Sequence, residues 1–179
     1  MPYEQIWAPW RLAYITNPHF DGTSPDRSTG FLPGADKTCF LCQSVADPDS
    51  RARQVIQRTP QVVTLLNRYP YNNGHLLVAP NRHRGRLDEL TPEERAGLMQ
   101  AITQMVGLLE KVLQPEGFNI GLNLGSAGGA GLPGHLHWHI VPRWSGDTNF
   151  MLSVAAVRVI PQALEELWQA LTDTLCQES

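Results

Sequence analysis

Three histidines occupy alternate positions in one short segment, GHLHWHIV at residues 134–141. Successive side chains of a β-strand point to opposite faces, so an extended segment places the imidazoles on one face and Leu136, Trp138 and Ile140 on the other. This segment holds half of the histidines in the chain. Imidazole can act as nucleophile, proton carrier or metal ligand near neutral pH. The pattern therefore predicts a chemical site; the alternative is a half-buried strand whose polar residues happen to be histidine.

The length and charge of the chain indicate a single-domain protein and argue against several kinds of partner. Its 179 residues suit one domain of ordinary size, and its formal net charge is -3. That charge provides no broad attraction for nucleic acid or anionic lipid, so we expect neither partner. No apolar stretch is long enough to cross a bilayer, which argues against a membrane protein. The first residues carry neither a basic start nor an apolar run, and this indicates a cytoplasmic protein.

Apolar periodicity predicts the elements of an α+β domain. Thr91, Pro92 and Glu94 form an N-cap, a first-turn proline and a capping box, and an apolar stripe at helical spacing continues to Leu113. A second amphipathic helix is predicted at residues 161–175. Strands are predicted at residues 54–58, 62–66, 74–79, 118–124, 135–141 and 154–160. Strands joined by short turns around one long helix favour an antiparallel sheet.

The N-terminal part of the chain differs from the rest in composition. Residues 16–38 are rich in Pro, Gly, Ser, Thr and Asp and are expected to form a long loop. They follow an aromatic piece whose Trp7 and Trp10 side chains are expected to pack on the core. We therefore expect one domain over residues 1–179. Its parts are an N-terminal arm and loop (1–38), a core (39–143) and a C-terminal extension (144–179).

Cys39 and Cys42 form a Cys-x-x-Cys pair. In a chain with few cysteines, such a pair is typical of metal binding or of redox chemistry in a reducing compartment, and not of a disulfide framework. Two buried thiols without a further role are the plain alternative. Cys176, near the C-terminus, is interpreted as incidental.

A glycine-rich stretch at residues 125–134 lies between two predicted strands. Backbone N–H groups in such a loop can approach a phosphate where larger residues would block it, although the same composition also suits a flexible hairpin loop. Hairpin geometry is expected to bring the loop and Asn123 beside the histidines. That position favours the phosphate cradle.

Several blocks occur in a characteristic order along the chain: CFLC at residues 39–42, NNGHLLVAPNRH at residues 72–83, and HLHWHIV at residues 135–141. The last block fills every position of a His-φ-His-φ-His-φ-φ pattern, where φ is apolar. Together the blocks resemble the histidine-triad (HIT) nucleotide-binding family. WAPWR at residues 7–11 and VPRWSGDTNFM at residues 141–151 are similar to its longer bacterial members, described as diadenosine tetraphosphate phosphorylases or nucleotide hydrolases.

The resemblance implies a fold and an assembly. The histidine-triad fold has a five-stranded antiparallel sheet with one long helix and a C-terminal helix. It also implies a homodimer in which the sheets of two copies join across the interface.

The resemblance implies roles for the residues around the triad. His137 would be the nucleophile, His139 its proton and phosphate partner, and His75 a fourth histidine that positions the phosphate. These roles agree with the chemistry of neutral imidazole, which can accept a phosphoryl-linked group and pass it on. The remaining nucleotide- and phosphate-binding residues would be Asn123, Ser126, Gly128, Gly129, Gly131 and Arg143.

The resemblance also implies a structural zinc ion held by Cys39, Cys42, His83 and His135, and no organic cofactor. Two thiolates and two imidazoles complete a tetrahedral site and leave no open position for activating water. A different arrangement, in which all three triad histidines bind one catalytic zinc, would need such an open position. The cysteine pair disfavours it, because thiolates offer zinc a better site.

The implied ligands are a purine nucleotide or dinucleoside polyphosphate and inorganic phosphate. The implied activity is cleavage of a substrate such as diadenosine tetraphosphate at the α-phosphate through a nucleotidyl-histidine intermediate, with phosphate as acceptor. A hydrolase that releases AMP and a nucleotide-binding regulator with negligible turnover stay open as alternatives. Many small family members have Gln followed by Ser or Thr before the first histidine, whereas residues 130–134 here read AGLPG. This departure leaves the acceptor open.

Overall fold

The computed structural model describes residues 30–147 and 159–177. The predicted packing of Trp7 and Trp10 and most of the predicted strand at residues 154–160 lie outside these ranges. Residues 159 and 160 have no regular secondary structure, and residues 30–38 form turns and irregular chain, as expected for the loop. The division into arm, core and extension stays a prediction.

The described residues form three α-helices and five β-strands. Helices α1, α2 and α3 span Phe40–Ala46, Pro92–Leu113 and Leu164–Gln177. Strands β1 to β5 span Val55–Arg58, Val62–Leu66, Leu76–Pro80, Gly117–Leu122 and Trp138–Arg143. All neighbouring strands are antiparallel, in the order β1-β2-β3-β5-β4. The α+β class and the five-stranded sheet with a long and a C-terminal helix are confirmed.

The long helix α2 begins at the predicted capping box. The Thr91 side chain accepts a hydrogen bond from the Glu94 amide, and the Glu94 carboxylate accepts one from the Thr91 amide. These two bonds satisfy amides that have no partner inside the helix. The buried face of α2 packs on the sheet. Within residues 30–147 and 159–177, no helix combines the length and apolar character that a membrane span requires.

The sheet separates two apolar clusters. On one face, side chains such as Leu76, Val78 and Ile140 pack against α2 and α3. On the other face, Leu77 and Ala79 belong to a second cluster that includes residues of α1. Because paired residues of antiparallel strands share a face, the pairing of Leu77 with His139 places His139 on the α1 side of the sheet.

The triad strand is shorter than the sequence predicts. Strand β5 begins at Trp138, so His135 and His137 lie ahead of it. Its neighbour β3 ends at Pro80, which has no N–H to continue the ladder. The alternation of faces nevertheless holds, because Leu136 is buried in the same helix-side cluster as Ile140.

Gly74 forms the turn that delivers His75 to the start of β3. Its φ angle is +77°, and a Cβ at this position would lie 2.5 Å from Leu113 Cδ1 and 3.0 Å from Pro142 Cγ. Glycine is therefore required both by the left-handed backbone and by the space between α2 and β5. His75, the next residue, is 1% exposed.

Replacement of Gly74 by Ala should lower the free energy of unfolding by about 2 kcal/mol or more, because it combines backbone strain with overpacking. Chemical denaturation measures this loss. Gly107→Ala is the matched control: its Cβ would meet nothing within 4 Å inside helix α2. That control should stabilise the protein by about 0.5 to 1 kcal/mol. Equal stability of Gly74→Ala and wild type would contradict the steric argument.

Candidate active site

Three histidine side chains meet on the α1 side of the sheet: His75 just before β3, His137 just before β5, and His139 within β5. The ring centroid of His139 lies 5.1 Å from that of His75 and 5.1 Å from that of His137. His75 is 1% exposed and His137 is 7% exposed. The structure thus brings together the three residues predicted to be catalytic.

A neighbouring carbonyl group determines which ring nitrogen of His137 carries the hydrogen. Its Nδ1 lies 2.8 Å from the backbone carbonyl oxygen of His135. A carbonyl oxygen only accepts hydrogen bonds, so Nδ1 carries the hydrogen and Nε2 carries the lone pair. Burial lowers the pKa of His137 below its usual 6.5, which keeps the ring neutral near pH 7. The side chain has the protonation state that a nucleophile needs.

His139 is coupled to His75. Nε2 of His75 lies 2.9 Å from Nδ1 of His139. The other nitrogen of His139, Nε2, is buried and has no hydrogen-bond partner among the described residues. Burial, followed by the nearby His137, lowers the pKa of His139 to about 4. His139 is therefore a neutral ring with one nitrogen available to a ligand.

The glycine-rich loop lies next to the triad. The register of β4 and β5 pairs Leu122 with Trp138, which places Asn123 beside His137 where the pairing ends. Asn123 Nδ2 donates to the Gly129 carbonyl at 3.3 Å. The predicted proximity of Asn123 to the histidines therefore agrees with the strand register.

The loop residues that are predicted to bind phosphate differ in whether their backbone amides are free to donate to a ligand. The amides of Gly128 and Gly129 donate to carbonyls of the loop itself, at 3.2 Å and 3.0 Å. In this conformation these glycines contribute open space and not N–H donors. Ser126 and Gly131 are exposed.

Arg143 lies at the far end of β5 from His137. Its guanidinium pairs with the Asp147 carboxylate through a 2.6 Å contact and also donates to Asn119 Oδ1. Arg143 and His139 are four residues apart on one strand face, about 13 Å at the rise of a β-strand. The structure does not bring Arg143 into the histidine cluster.

A second cluster consists of potential metal ligands and includes His135, the first histidine of the triad. One ligand atom from each of Cys39, Cys42, His83 and His135 falls within 4.8 Å of the others. Nε2 of His135 donates to the Pro80 carbonyl at 2.8 Å, which leaves the lone pair on Nδ1, the atom that faces Cys39 Sγ at 3.3 Å. These donors suit a tetrahedral metal site.

The chemistry of the cysteines agrees with this fit. The hydrogen bond from Cys39 lowers the pKa of the Cys42 thiol to about 4, against the opposing effect of burial. The same bond raises the pKa of Cys39. A cation would favour the thiolate form of both. Because His135 Nδ1 faces these sulfurs and His137 Nδ1 faces a carbonyl, the three triad histidines do not share one metal position.

Sequence reasoning missed two contributors to the site. Asn67 Nδ2 and the backbone amide of Tyr71 both contact Nδ1 of His75. Both lie in the turn before His75, so a Tyr-, Pro- and Asn-rich turn ahead of a buried histidine is the signal that was available. The Tyr71 ring also stacks on His139, with centroids 5.8 Å apart.

Comparisons with known proteins agree with this geometry. The chain is 36% identical to the protein named AP-4-A phosphorylase of Mycobacterium tuberculosis, over 91% of this chain and 80% of that one. It is 37% identical to the asymmetrical bis(5'-nucleosyl)-tetraphosphatase of Schizosaccharomyces pombe, over 52% of this chain and 51% of that one. A crystal structure of a zinc-bound histidine-triad family protein from Mycobacterium smegmatis superposes with a TM-score of 0.55 at 31% identity, covering 69% of this chain and 84% of that one.

The family model described as HIT domain matches residues 50–146, which is more than half of the chain. This segment includes β1 to β5, α2 and the three triad histidines. The chain belongs to the HIT family.

Proposed function

We propose that this protein cleaves a dinucleoside polyphosphate at its α-phosphate, with Nε2 of His137 as the nucleophile. The observation that carries the proposal is the hydrogen bond from His137 Nδ1 to the His135 carbonyl, which leaves a lone pair on Nε2. The substrate class is supported by the names of the relatives from M. tuberculosis and S. pombe.

The proposed reaction has two displacements. The lone pair of His137 Nε2 attacks the α-phosphorus, and the bond from phosphorus to the leaving polyphosphate oxygen breaks with its electrons on that oxygen. An acceptor oxygen then attacks the nucleotidyl group, and the phosphorus–nitrogen bond breaks with its electrons returned to Nε2. Covalent catalysis of this kind divides one difficult step into two easier ones.

The surrounding residues have distinct roles in this proposal. His139 donates a hydrogen bond from Nε2 to a phosphate oxygen or to the leaving oxygen, because that buried nitrogen has no hydrogen-bond partner among the described residues. His75 holds His139 through the 2.9 Å contact. Asn123 and the exposed loop residues bind the nucleotide and its phosphates: Ser126, Gly128, Gly129 and Gly131. Arg143, farther along β5, binds the distal part of the substrate.

We propose inorganic phosphate as the acceptor, supported by the M. tuberculosis relative, whose name is that of a phosphorylase. With diadenosine tetraphosphate, ATP would leave first and phosphate would take AMP from His137 to form ADP. Water is the second candidate, because the S. pombe relative is named as an asymmetrical tetraphosphatase.

We also propose that the Cys39, Cys42, His83 and His135 cluster binds one structural zinc ion. Support comes from the proximity of the four ligand atoms and from the zinc-bound M. smegmatis structure. When bound, zinc would supply a rigid tetrahedral link between α1 and the triad segment. His135 belongs to both sites: its side chain is a proposed zinc ligand, and its backbone carbonyl accepts the hydrogen bond of His137.

We further propose that two copies pair through β4. This strand is an edge of the sheet in the described residues, and Ile120 is 47% exposed on it. An open edge offers unpaired N–H and C=O groups to a second strand. Pairing two β4 strands would extend the sheet across a homodimer.

The acceptor is tested by incubating the protein with diadenosine tetraphosphate in the presence and absence of phosphate and identifying the nucleotides. We expect ADP and ATP only with phosphate, because phosphate retains the transferred AMP. AMP and ATP without phosphate would instead establish water as the acceptor. Binding of substrate with no turnover would favour a nucleotide-binding regulator and contradict the proposed activity.

The nucleophile is tested by His137→Asn. Loss of the attacking nitrogen should reduce turnover at least about a thousandfold. Substrate affinity should stay within about threefold, because ground-state contacts are retained. Single-turnover assays and equilibrium binding measure the two effects. Turnover close to that of wild type would exclude His137 as the nucleophile.

The metal is tested by Cys39→Ser. Elemental analysis of wild type should find about one zinc ion per chain, and the variant should lose it. The free energy of unfolding should fall by about 2 kcal/mol or more, because metal binding stabilises only the folded site. Cys176→Ser, at an exposed cysteine, is the control and should change stability by less than about 0.5 kcal/mol. Wild type without metal and with unchanged stability under chelation would rule the site out.

A further inference from the structure

A buried glutamine directly follows the cysteine pair. Gln43 is the residue after Cys42, belongs to helix α1 and is 6% exposed. Its side-chain Nε2 donates to the backbone carbonyl of Lys37 at 2.8 Å. Lys37 lies two residues before Cys39, so this hydrogen bond closes a short loop that contains both cysteines. The two sulfurs of the proposed metal cluster therefore lie in a segment whose ends are joined by one side chain.

The orientation of the Gln43 carboxamide is determined by two partners of opposite kind. Arg53 Nη1, which can only donate, lies 2.9 Å from Oε1, and the Lys37 carbonyl, which can only accept, faces Nε2. Arg53 is itself held by an ion pair, because its Nε donates to Asp47 Oδ2 at 2.9 Å and the two side chains are 8% and 2% exposed. Rotation of the carboxamide by half a turn would break both of its contacts.

The hydrogen bonds within the turn before Cys39 do not join it to the far side of the cysteine pair. The Thr38 amide and hydroxyl donate to Asp36 Oδ1, and the Cys39 amide donates to the Asp36 carbonyl. Cys39 is the N-cap of α1, with extended dihedral angles and no capping hydrogen bond from its side chain. Among the described residues, the side chain of Gln43 therefore supplies the hydrogen bond that ties this turn to the helix beyond Cys42.

This turn lies against the proposed metal ligands. The hydrogen bond from Cys39 is the main cause that lowers the pKa of Cys42, and the backbone amide of Asp36 acts in the same direction. Groups that orient metal ligands without binding the metal affect its affinity by about 10- to 100-fold. Displacement of the turn would move the Asp36 amide and the Cys39 sulfur together.

Helix α1 has a separate anchor at its other end. Arg58, the last residue of β1, donates to the backbone carbonyls of Ser44 and Asp47. Leu41 is fully buried in the apolar cluster on this face of the sheet. Because none of these contacts involves Gln43, the helix should stay on the sheet when Gln43 is replaced. A change in metal binding can then be assigned to the turn.

We propose that Gln43 is a positioning residue for the metal cluster: by holding the Lys37 carbonyl, it keeps the two cysteine sulfurs at the separation that one tetrahedral ion requires. This role rests on the zinc site proposed above and not on nucleotide cleavage. It assigns a purpose to the buried chain of contacts from Asp47 through Arg53 to Gln43, which contains no metal ligand.

Gln43→Met tests this role, because methionine has a similar length but forms neither hydrogen bond of the carboxamide. The zinc affinity of the zinc-loaded protein should fall about tenfold or more. Competition with a chromophoric chelator measures the affinity, and circular dichroism checks that the variant is folded. A general packing defect would lower the stability of the folded protein without lowering its affinity for zinc, so a folded variant with wild-type affinity would overturn the role.

Gln43→Glu separates the two hydrogen bonds of the carboxamide. An ionised carboxylate still accepts from Arg53 but cannot donate to the Lys37 carbonyl. We expect its zinc affinity to fall as far as that of Gln43→Met. Wild-type affinity in this variant would overturn the proposal, because it would show that the contact with Lys37 is not needed. The pairing with Arg53 also preserves a buried contact that methionine removes, so the test does not depend on one variant.

Gln100→Met is the matched control. It makes the same change of side chain on the exposed side of α2, away from the cluster, and should bind zinc as wild type does. Absence of zinc from wild type in elemental analysis would refute the proposed zinc site and, with it, the role of Gln43. Wild type with zinc and Gln43 variants of undiminished affinity would refute the positioning role alone. The cleavage assay can fail without changing either result.

Discussion

The carbonyl oxygen of His135 orients the ring of His137, whose Nε2 is the proposed attacking atom, because it accepts the hydrogen of His137 Nδ1. The side chain of His135 is itself held at both nitrogens, by the Pro80 carbonyl and by the cysteines near α1. A single residue thus connects strand β3, the proposed metal cluster and the proposed nucleophile. Displacement of His135 in any direction would change the orientation of the His137 ring.

Burial has a chemical purpose at this site. Histidines in water are partly protonated near neutral pH, and a protonated ring has no lone pair to donate. Desolvation is the main cause that lowers the pKa values of His137 and His139 below the usual 6.5, so both rings are neutral near pH 7. Tyr71, in the turn before His75, packs on the rings of both His75 and His139. Neutral rings are what the proposed roles require, His137 as nucleophile and His139 as hydrogen-bond donor.

Local patterns in the sequence predicted much of this structure. The capping box of Thr91 and Glu94, the long helix and the alternation of faces around Trp138 follow from contacts between near neighbours, and all are confirmed. Helix α1 was not predicted, because seven residues carry too little periodic signal. Strand β5 begins later than predicted, at Trp138 opposite Val78, and β3 itself ends two residues farther on at Pro80, so the extent of pairing depends on a distant part of the chain.

The candidate site was predictable by residue type but not by proton position. Alternation and the family resemblance identify the histidines, and the structure brings His75, His137 and His139 together. Which nitrogen of each ring carries hydrogen depends on a carbonyl or an amide that only the folded chain places there. The loop glycines illustrate the same limit, since the amides of Gly128 and Gly129 bond within their own loop. Composition alone does not determine where an N–H group points.

The glycine content of the edge strand β4 affects which other strands can add to the sheet. Strand β4 lies at the edge of the sheet, it exposes Ile120, and it contains glycine at positions 117 and 121. Glycine has low β-propensity and offers no side chain for cross-strand contact. An arbitrary foreign strand would therefore gain little by adding to this edge, although its amides and carbonyls are accessible. Backbone pairing alone would then be too weak at this edge to recruit unrelated strands, which restrains aggregation.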